Sequence, residues 1–314
     1  MSEVKLLSAI FVFFVTLNLV EAQKKKKLRP PFQWNNPLKE RFEKLGVVHG
    51  TYESKANQAT VGYNILLPKV YSSQTERRFP VVYLLHGGRP GDEGKLLSLA
   101  PVAMEAIDKR LIPPAIFVFV NGGPVSHYDY PGQLKNLKTG TGQKGNTAFV
   151  KELIPHIDKT YRTIAERKGR VLEGYSQGGR GTLRTAFRNP ELFIAARAGS
   201  AGVATELRIK NENGKESESL QFSPGDDTYS LALSYSKTKK EKWPLKLLLY
   251  TGDTQKDFNS DGNKAYSKFL KKQGIPHELL LIPDCKHSVV MSYEILGAEL
   301  LRHLKPVLEA ASKP

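Results

Sequence analysis

The stretch Gly174-Tyr175-Ser176-Gln177-Gly178 constrains this chain more than any other. It follows Arg170-Val171-Leu172-Glu173, a short strand candidate, and opens a helical pattern over Gly178–Arg188 that runs through Leu183, Ala186 and Phe187. A strand that turns into a helix at one residue holds that residue at the apex in strained backbone. Side chains two before and two after would collide, so both positions need Gly. Such a turn requires a strand inside a sheet and a helix folded back over it.

The rest of the chain repeats that alternation. Phe79–Leu85, Ala115–Val120, Leu245–Tyr250 and Glu278–Ile282 are apolar runs suited to strands buried on both faces. Phe193–Ala198 is a shorter candidate, and Thr60–Pro68 alternates in part and ends at Pro, as an outer strand does. Helical patterns lie between them at Leu96–Leu111, Ala148–Tyr161, Gly178–Arg188, Gly262–Gln273 and Val289–Ala311; in the fourth, Ala265, Phe269 and Leu270 share a face. This predicts an α/β domain over residues 47–314, with a mostly parallel sheet covered by helices on both faces. Residues 203–243 break the rhythm. They are polar, with Asn211–Ser217 reading as exposed loop, and are either a lid insertion or a plain surface insertion.

Ahead of the domain, Lys5 leads into an apolar run from Leu6 to Val20, followed by Val20-Glu21-Ala22. That pattern predicts a signal peptide over residues 1–22, cleaved after Ala22, and export to a periplasm or the exterior, with an uncleaved anchor as the alternative. The run is shorter than the roughly 20 residues a membrane span needs, so no stable membrane insertion is expected after cleavage. Residues 23–46, with Lys24–Lys27 and several Pro, read as a basic arm. Cys285 is the single cysteine, so no intrachain disulfide can form. The net charge is +16. It favours anionic partners such as acidic polysaccharide. There is no basic stripe interleaved with aromatics, so nucleic acid is not an expected partner.

Ser176 at such a turn is a candidate nucleophile, and it needs a base. The strand–Ser–helix motif orders its partners Ser, acid, His, with the His between the last strand and the final helix. His287, in Pro283–Ser288, satisfies both conditions. His303 reads as a surface residue inside the last helix, and His277 as exposed. The acid should follow Leu245–Tyr250, where Asp253, Asp257 and Asp261 stand. Asp257 is preferred, Asp253 is the alternative, and Asp261 suits a helix N-cap. Asp257–Gly262 also matches the first half of a calcium loop. Its twelfth position is Lys268 where a bidentate Glu belongs, so neither metal nor cofactor is expected. The oxyanion donors would be the backbone N–H of Gln177 and that of Gly88 or Arg89, in the His86-Gly87-Gly88-Arg89 loop.

Phe79–Gly88, Gly174–Gly179, Lys256-Asp257-Phe258 and Cys285-Lys286-His287 together resemble the Putative esterase family, which includes feruloyl esterases, esterase D and mycolyltransferases. The resemblance spans about residues 47–305. It implies an α/β-hydrolase fold and places triad roles on Ser176, Asp257 and His287. The family's acid often sits three residues after the strand's final glycine. Here that position is Gln255, so the loop is lengthened, and Arg89 and Pro90 interrupt the glycine-rich loop. The implied activity is a serine esterase acting on acetyl or feruloyl groups of carbohydrate, from small-molecule to polysaccharide esters. A siderophore esterase, an acyltransferase and a non-catalytic binding protein are the alternatives.

Overall fold

The computed structural model describes residues 32–88, 90–130, 143–211 and 223–312; the expected signal peptide, Arg89, and residues 212–217 of the polar loop lie outside them. Eight strands form one sheet: β1 Val47–Ser54, β2 Ala59–Leu66, β3 Val81–Leu85, β4 Ile116–Val120, β5 Arg170–Tyr175, β6 Ala195–Gly199, β7 Lys246–Gly252 and β8 Glu278–Ile282. Their order is β1-β2-β4-β3-β5-β6-β7-β8. From β4 to β8 every pairing is parallel, whereas β1–β2 and β2–β4 are antiparallel. The expected outer strand, β2, is therefore internal, because β1 pairs along its free side.

Alternation along each strand feeds two cores. In β3, Val81, Tyr83 and Leu85 join one cluster while Val82 and Leu84 join the other. Successive side chains point to opposite faces, and both faces are covered, which is why the run is apolar throughout. Each fully buried aliphatic or aromatic side chain contributes about 1.5–3 kcal/mol here. On the second face lie α1 (Ala100–Asp108), α7 (Val289–Arg302) and α8 (Lys305–Ala311). The first face carries α2 (Ile154–Thr160), α3 (Gln177–Arg188), α4 (Val203–Asn211), α5 (Thr228–Thr238) and α6 (Ser260–Lys272).

Three expectations change. The last helix is broken near Leu304, and Pro306 restarts it from the first turn of α8, where a missing N–H costs nothing. Ala265 is exposed in α6, whose buried face is Asn263, Tyr266, Ser267 and Leu270. The described residues of 203–243 hold two helices, and Tyr235 of α5 is buried against Phe187 of α3, ring centroids 5.2 Å apart. Asp227 caps α5 by accepting from Ser230 N at 2.9 Å.

The described end of the N-terminal arm is packed down. Trp34 is buried, and its carbonyl accepts from Gly62 N at 2.7 Å and from Asn121 Nδ2 at 3.1 Å. Buried Glu93 accepts from Asn36 N at 2.7 Å and from Asn121 Nδ2 at 2.8 Å, tying the arm to the end of β4. Burial raises the Glu93 carboxyl above its ordinary range, against the pull of these hydrogen bonds.

Candidate active site

Parallel strands deliver their following loops to one edge of the sheet, and the candidate residues come from the ends of β3, β5, β6, β7 and β8. Ser176 sits between β5 and α3 with φ 59° and ψ −117°. A Cβ on Gly174 would lie 2.3 Å from Gly178 O, and one on Gly178 would lie 1.8 Å from Leu85 O. The two glycines are thus required by close approach of backbone. The strained serine is pinned by Ser176 N donating to Gly199 O at 2.8 Å and by Gly202 N donating to Ser176 O at 3.1 Å.

His287 lies in the loop after β8, its backbone N donating to Lys256 O at 3.2 Å. Its Nδ1 is 2.9 Å from Asp257 Oδ1. Asp257 is 1% exposed, yet it is richly supplied with donors. Ser200 Oγ reaches Oδ1 at 2.6 Å, and Asn259 N reaches it at 3.2 Å. Thr251 Oγ1 and Gly252 N each donate to Oδ2 at 3.0 Å. Burial alone would raise this carboxyl; the hydrogen bonds from His287, Ser200, Gly252 and Asn259 outweigh it and hold the group well below the usual carboxylate range. The imidazole is flanked by Tyr175 at 5.0 Å and by Phe258 at 3.9 Å between ring centroids. Tyr175 immediately precedes Ser176 in the chain.

The alternative acid, Asp253, faces elsewhere. It is exposed, and its Oδ1 accepts from Asp284 N at 3.1 Å. Asp261 is not the N-cap expected of it. Asn259 holds that position, while Asp261 is the second residue of α6 and accepts from Gln255 Nε2 at 3.1 Å. The lengthened loop folds so that Asp257, five residues past Gly252, returns to that glycine's N–H. Asp257, the first residue of the calcium-loop match, spends its carboxylate on these protein donors. Among the described residues, no group of three His, Cys, Asp or Glu side chains is placed to hold a metal.

The glycine loop after β3 abuts the turn. A Cβ on Gly87 would lie 2.9 Å from Tyr175 O and 3.1 Å from Ser176 Cβ. Gly88 follows at φ 68°, and Gln177 opens α3. Beneath this loop lie two imidazoles whose role the sequence did not expose. His86 Nε2 accepts from Gly122 N at 3.1 Å, and His127 Nε2 donates to His86 O at 3.0 Å. Their rings are 4.7 Å apart. Burial first, with nearby cations adding to it, pushes His127 down to about 4 and His86 well below its ordinary value. Both are neutral props for the loop backbone.

A buried ionic cluster ties α3 to the elements that precede and follow it. Arg184 pairs with Asp226 at 2.5 Å and lies 3.4 Å over the Tyr128 ring, while the Tyr128 hydroxyl donates to buried Glu206. His303 and His277 are half-buried instead of exposed. His277 Nε2 meets Ser267 Oγ at 2.7 Å, and burial with Arg197 and Lys246 pushes His303 down to about 4.

Comparison with known proteins places the chain in a family. A family model described as "Putative esterase" matches residues 54–273. Esterase Rv1288 of Mycobacterium tuberculosis is 31% identical over 136 residues, 43% of this chain and 28% of that protein. An endo-1,4-beta-xylanase/feruloyl esterase of Xylanibacter ruminicola is 29% identical over 150 residues, 46% of this chain and 20% of its own length. The chain thus spans less than a third of these relatives. Among solved structures, a ferulic acid esterase superposes with TM-score 0.63 at 23% identity, covering 84% of this chain and 97% of its own. The S-formylglutathione hydrolase of Staphylococcus aureus does so with TM-score 0.61 at 16% identity, covering 85% and 98%. The α/β-hydrolase fold and the match over most of the domain establish that the chain belongs to the Putative esterase family.

Proposed function

We propose that this protein is a secreted serine esterase that cleaves carboxylic esters through an acyl-enzyme on Ser176. The observation that carries the reading is the buried, multiply hydrogen-bonded Asp257 facing His287 Nδ1 at 2.9 Å, with the His287 ring against Tyr175, the residue before the strained Ser176. In this reading neutral His287 takes the Ser176 Oγ proton at Nε2, and the alkoxide adds to the ester carbonyl. The backbone N–H of Gln177, with that of Gly88 or Arg89, receives the oxyanion at the positive end of α3. Collapse expels the alcohol, protonated by His287. A water molecule, deprotonated by the same imidazole, then releases the acid and restores Ser176.

For substrate we propose acyl groups, acetyl or feruloyl, carried on carbohydrate. Two relatives are named for ferulic ester chemistry. A chain of net charge +16 would approach an acidic polysaccharide favourably. Among the described residues no helix is long and apolar enough to cross a membrane, which is compatible with release after signal cleavage. A fluorophosphonate probe tests the reading directly. Folded protein should label at Ser176, and Ser176→Ala should not. A panel of acetyl, feruloyl and longer acyl esters then ranks the acyl group. Absence of labelling in the folded chain would leave a binding protein on a hydrolase fold.

A further inference from the structure

Ser200 lies inside the acid–base pair. It follows β6, is fully buried, and sits at φ 39°, held by its N–H to Tyr250 O at 2.6 Å and by Asn259 Nδ2 to its carbonyl at 2.8 Å. Its Oγ is 2.6 Å from Asp257 Oδ1 and 2.9 Å from His287 Nδ1, while those two atoms are themselves 2.9 Å apart. Three polar atoms thus form a closed triangle. An ionised carboxylate oxygen can only accept, so the hydroxyl proton belongs on the Oγ–Oδ1 side. Any other placement would set two lone pairs against each other at 2.6 Å. The hydroxyl can then offer His287 only a lone pair. Nδ1, facing two acceptors, must carry a proton, and Nε2 is left bare.

We infer that Ser200 is a positioning residue for the reaction, fixing the His287 tautomer and giving the imidazolium a second acceptor. The inference rests on the triad reading above. Its electrostatic sense follows from the orientation of the hydroxyl. The positive end of that dipole faces Asp257 and the negative end faces His287, so it favours the ring most when the ring is protonated. The other groups around the ring are Tyr175 at the end of β5, Phe258 on the acid's loop, and Cys285 on its own loop. Tyr175 and Cys285 are kept neutral by burial, which raises both. Lys256 and Lys286 are exposed on the flanking loops. Asp257 is therefore the charge in contact, and Ser200 is the dipole aligned with it.

Ser200→Ala and Ser200→Gly test this in the full chain. Gly accepts φ 39° without strain, so it keeps the test alive if Ala impairs folding. Turnover of a chromogenic acetyl ester and the rate of fluorophosphonate labelling are each followed against pH. Both variants should lose about tenfold in kcat/KM, the scale of a hydrogen bond to a charged group. The acid limb of the profile should move to lower pH by about half a unit, because the imidazolium has lost an acceptor. A folded variant with a reduced rate and an unmoved limb would overturn the inference, since packing alone moves rate and not titration. An unlabelled wild-type chain would overturn the triad reading instead.

Discussion

The two ends of the sheet are built differently. At the ends where β5, β6, β7 and β8 finish, there is strain and polarity: Ser176 at φ 59°, Ser200 at φ 39°, and a carboxylate with a full set of donors. Where β7 and β8 begin, a cavity of about 660 Å³ is lined by residues including Leu245, Leu247, His277, Leu279, His303 and Pro306. The cavity has imidazoles too. His277 there is engaged by a hydroxyl and a backbone carbonyl, whereas His287 faces a carboxylate. That cavity lies away from Ser176, Asp257 and His287. What separates the ends is what converges there, since the loops after the strands carry the strained serines and the carboxylate.

The largest effect expected tests that contrast. Asp257→Asn removes the charge facing Nδ1 and offers the wrong tautomer to it, so kcat should fall by about 10³–10⁴ with the fold retained. Asp253→Asn, whose carboxylate accepts from Asp284 N, should stay within about threefold of wild type. His303→Ala at the other end should also leave kcat/KM within about threefold. Steady-state kinetics on one ester decides all three. A large loss at His303 would break the contrast between the ends.

Much of this contrast is legible in the sequence, but unevenly. The Gly-x-Ser-x-Gly turn is spelled by backbone clashes, so Gly174 and Gly178 mark Ser176 without any tertiary knowledge. His287 is located by its place after the last strand. Asp257 is harder to read because three aspartates share one loop, and only the return of the chain to Gly252 N chooses between them. Ser200 and His127 leave no mark in the sequence, and His86 shows there only as the head of the glycine loop. Each acts through a contact more than 35 residues away, and neither a serine after a strand nor a lone imidazole carries a local pattern. The helices within 203–243 are missed for a related reason. Their burial includes polar anchors, Glu206 and Thr228 among them, which hydropathy reads as loop.

Acid stability sharpens the comparison at an intermediate scale. His127, near the reactive end, and His303, at the cavity, are each pushed down to about 4 chiefly by burial. An unfolded imidazole titrates near 6.5. Between those values the unfolded chain binds protons that the native chain does not. Stability from both groups is therefore complete above about pH 6.5 and is lost progressively as pH falls toward about 4. For His127, which is 2% exposed, the loss is on the order of 3 kcal/mol. His127→Asn, tolerated at φ 68°, should flatten the fall in urea midpoint between pH 7 and pH 5. It should also slow labelling at Ser176, because the His86 carbonyl loses its donor. His303→Asn should flatten the same curve without touching labelling. Equal effects on labelling from both variants would erase the distinction between the ends.

The smallest effect concerns Phe258. Its ring lies 3.9 Å from the His287 ring, tilted by 37°, and is 73% exposed, so little of its apolar surface is withdrawn from water by folding. Phe258→Ala should accordingly leave the melting temperature within about 2 °C. The imidazole, however, would lose the partner on its outer face and gain rotational freedom about the Asp257 contact. A near-attack geometry that loosens by a fraction of an ångström costs rate, not binding, so kcat should fall about threefold to tenfold with KM little changed. Phe258→Leu, which restores bulk without an aromatic face, separates packing from aromatic contact. Recovery to wild-type kcat would assign the ring a purely steric part, while continued loss would show that the aromatic contact itself orients His287.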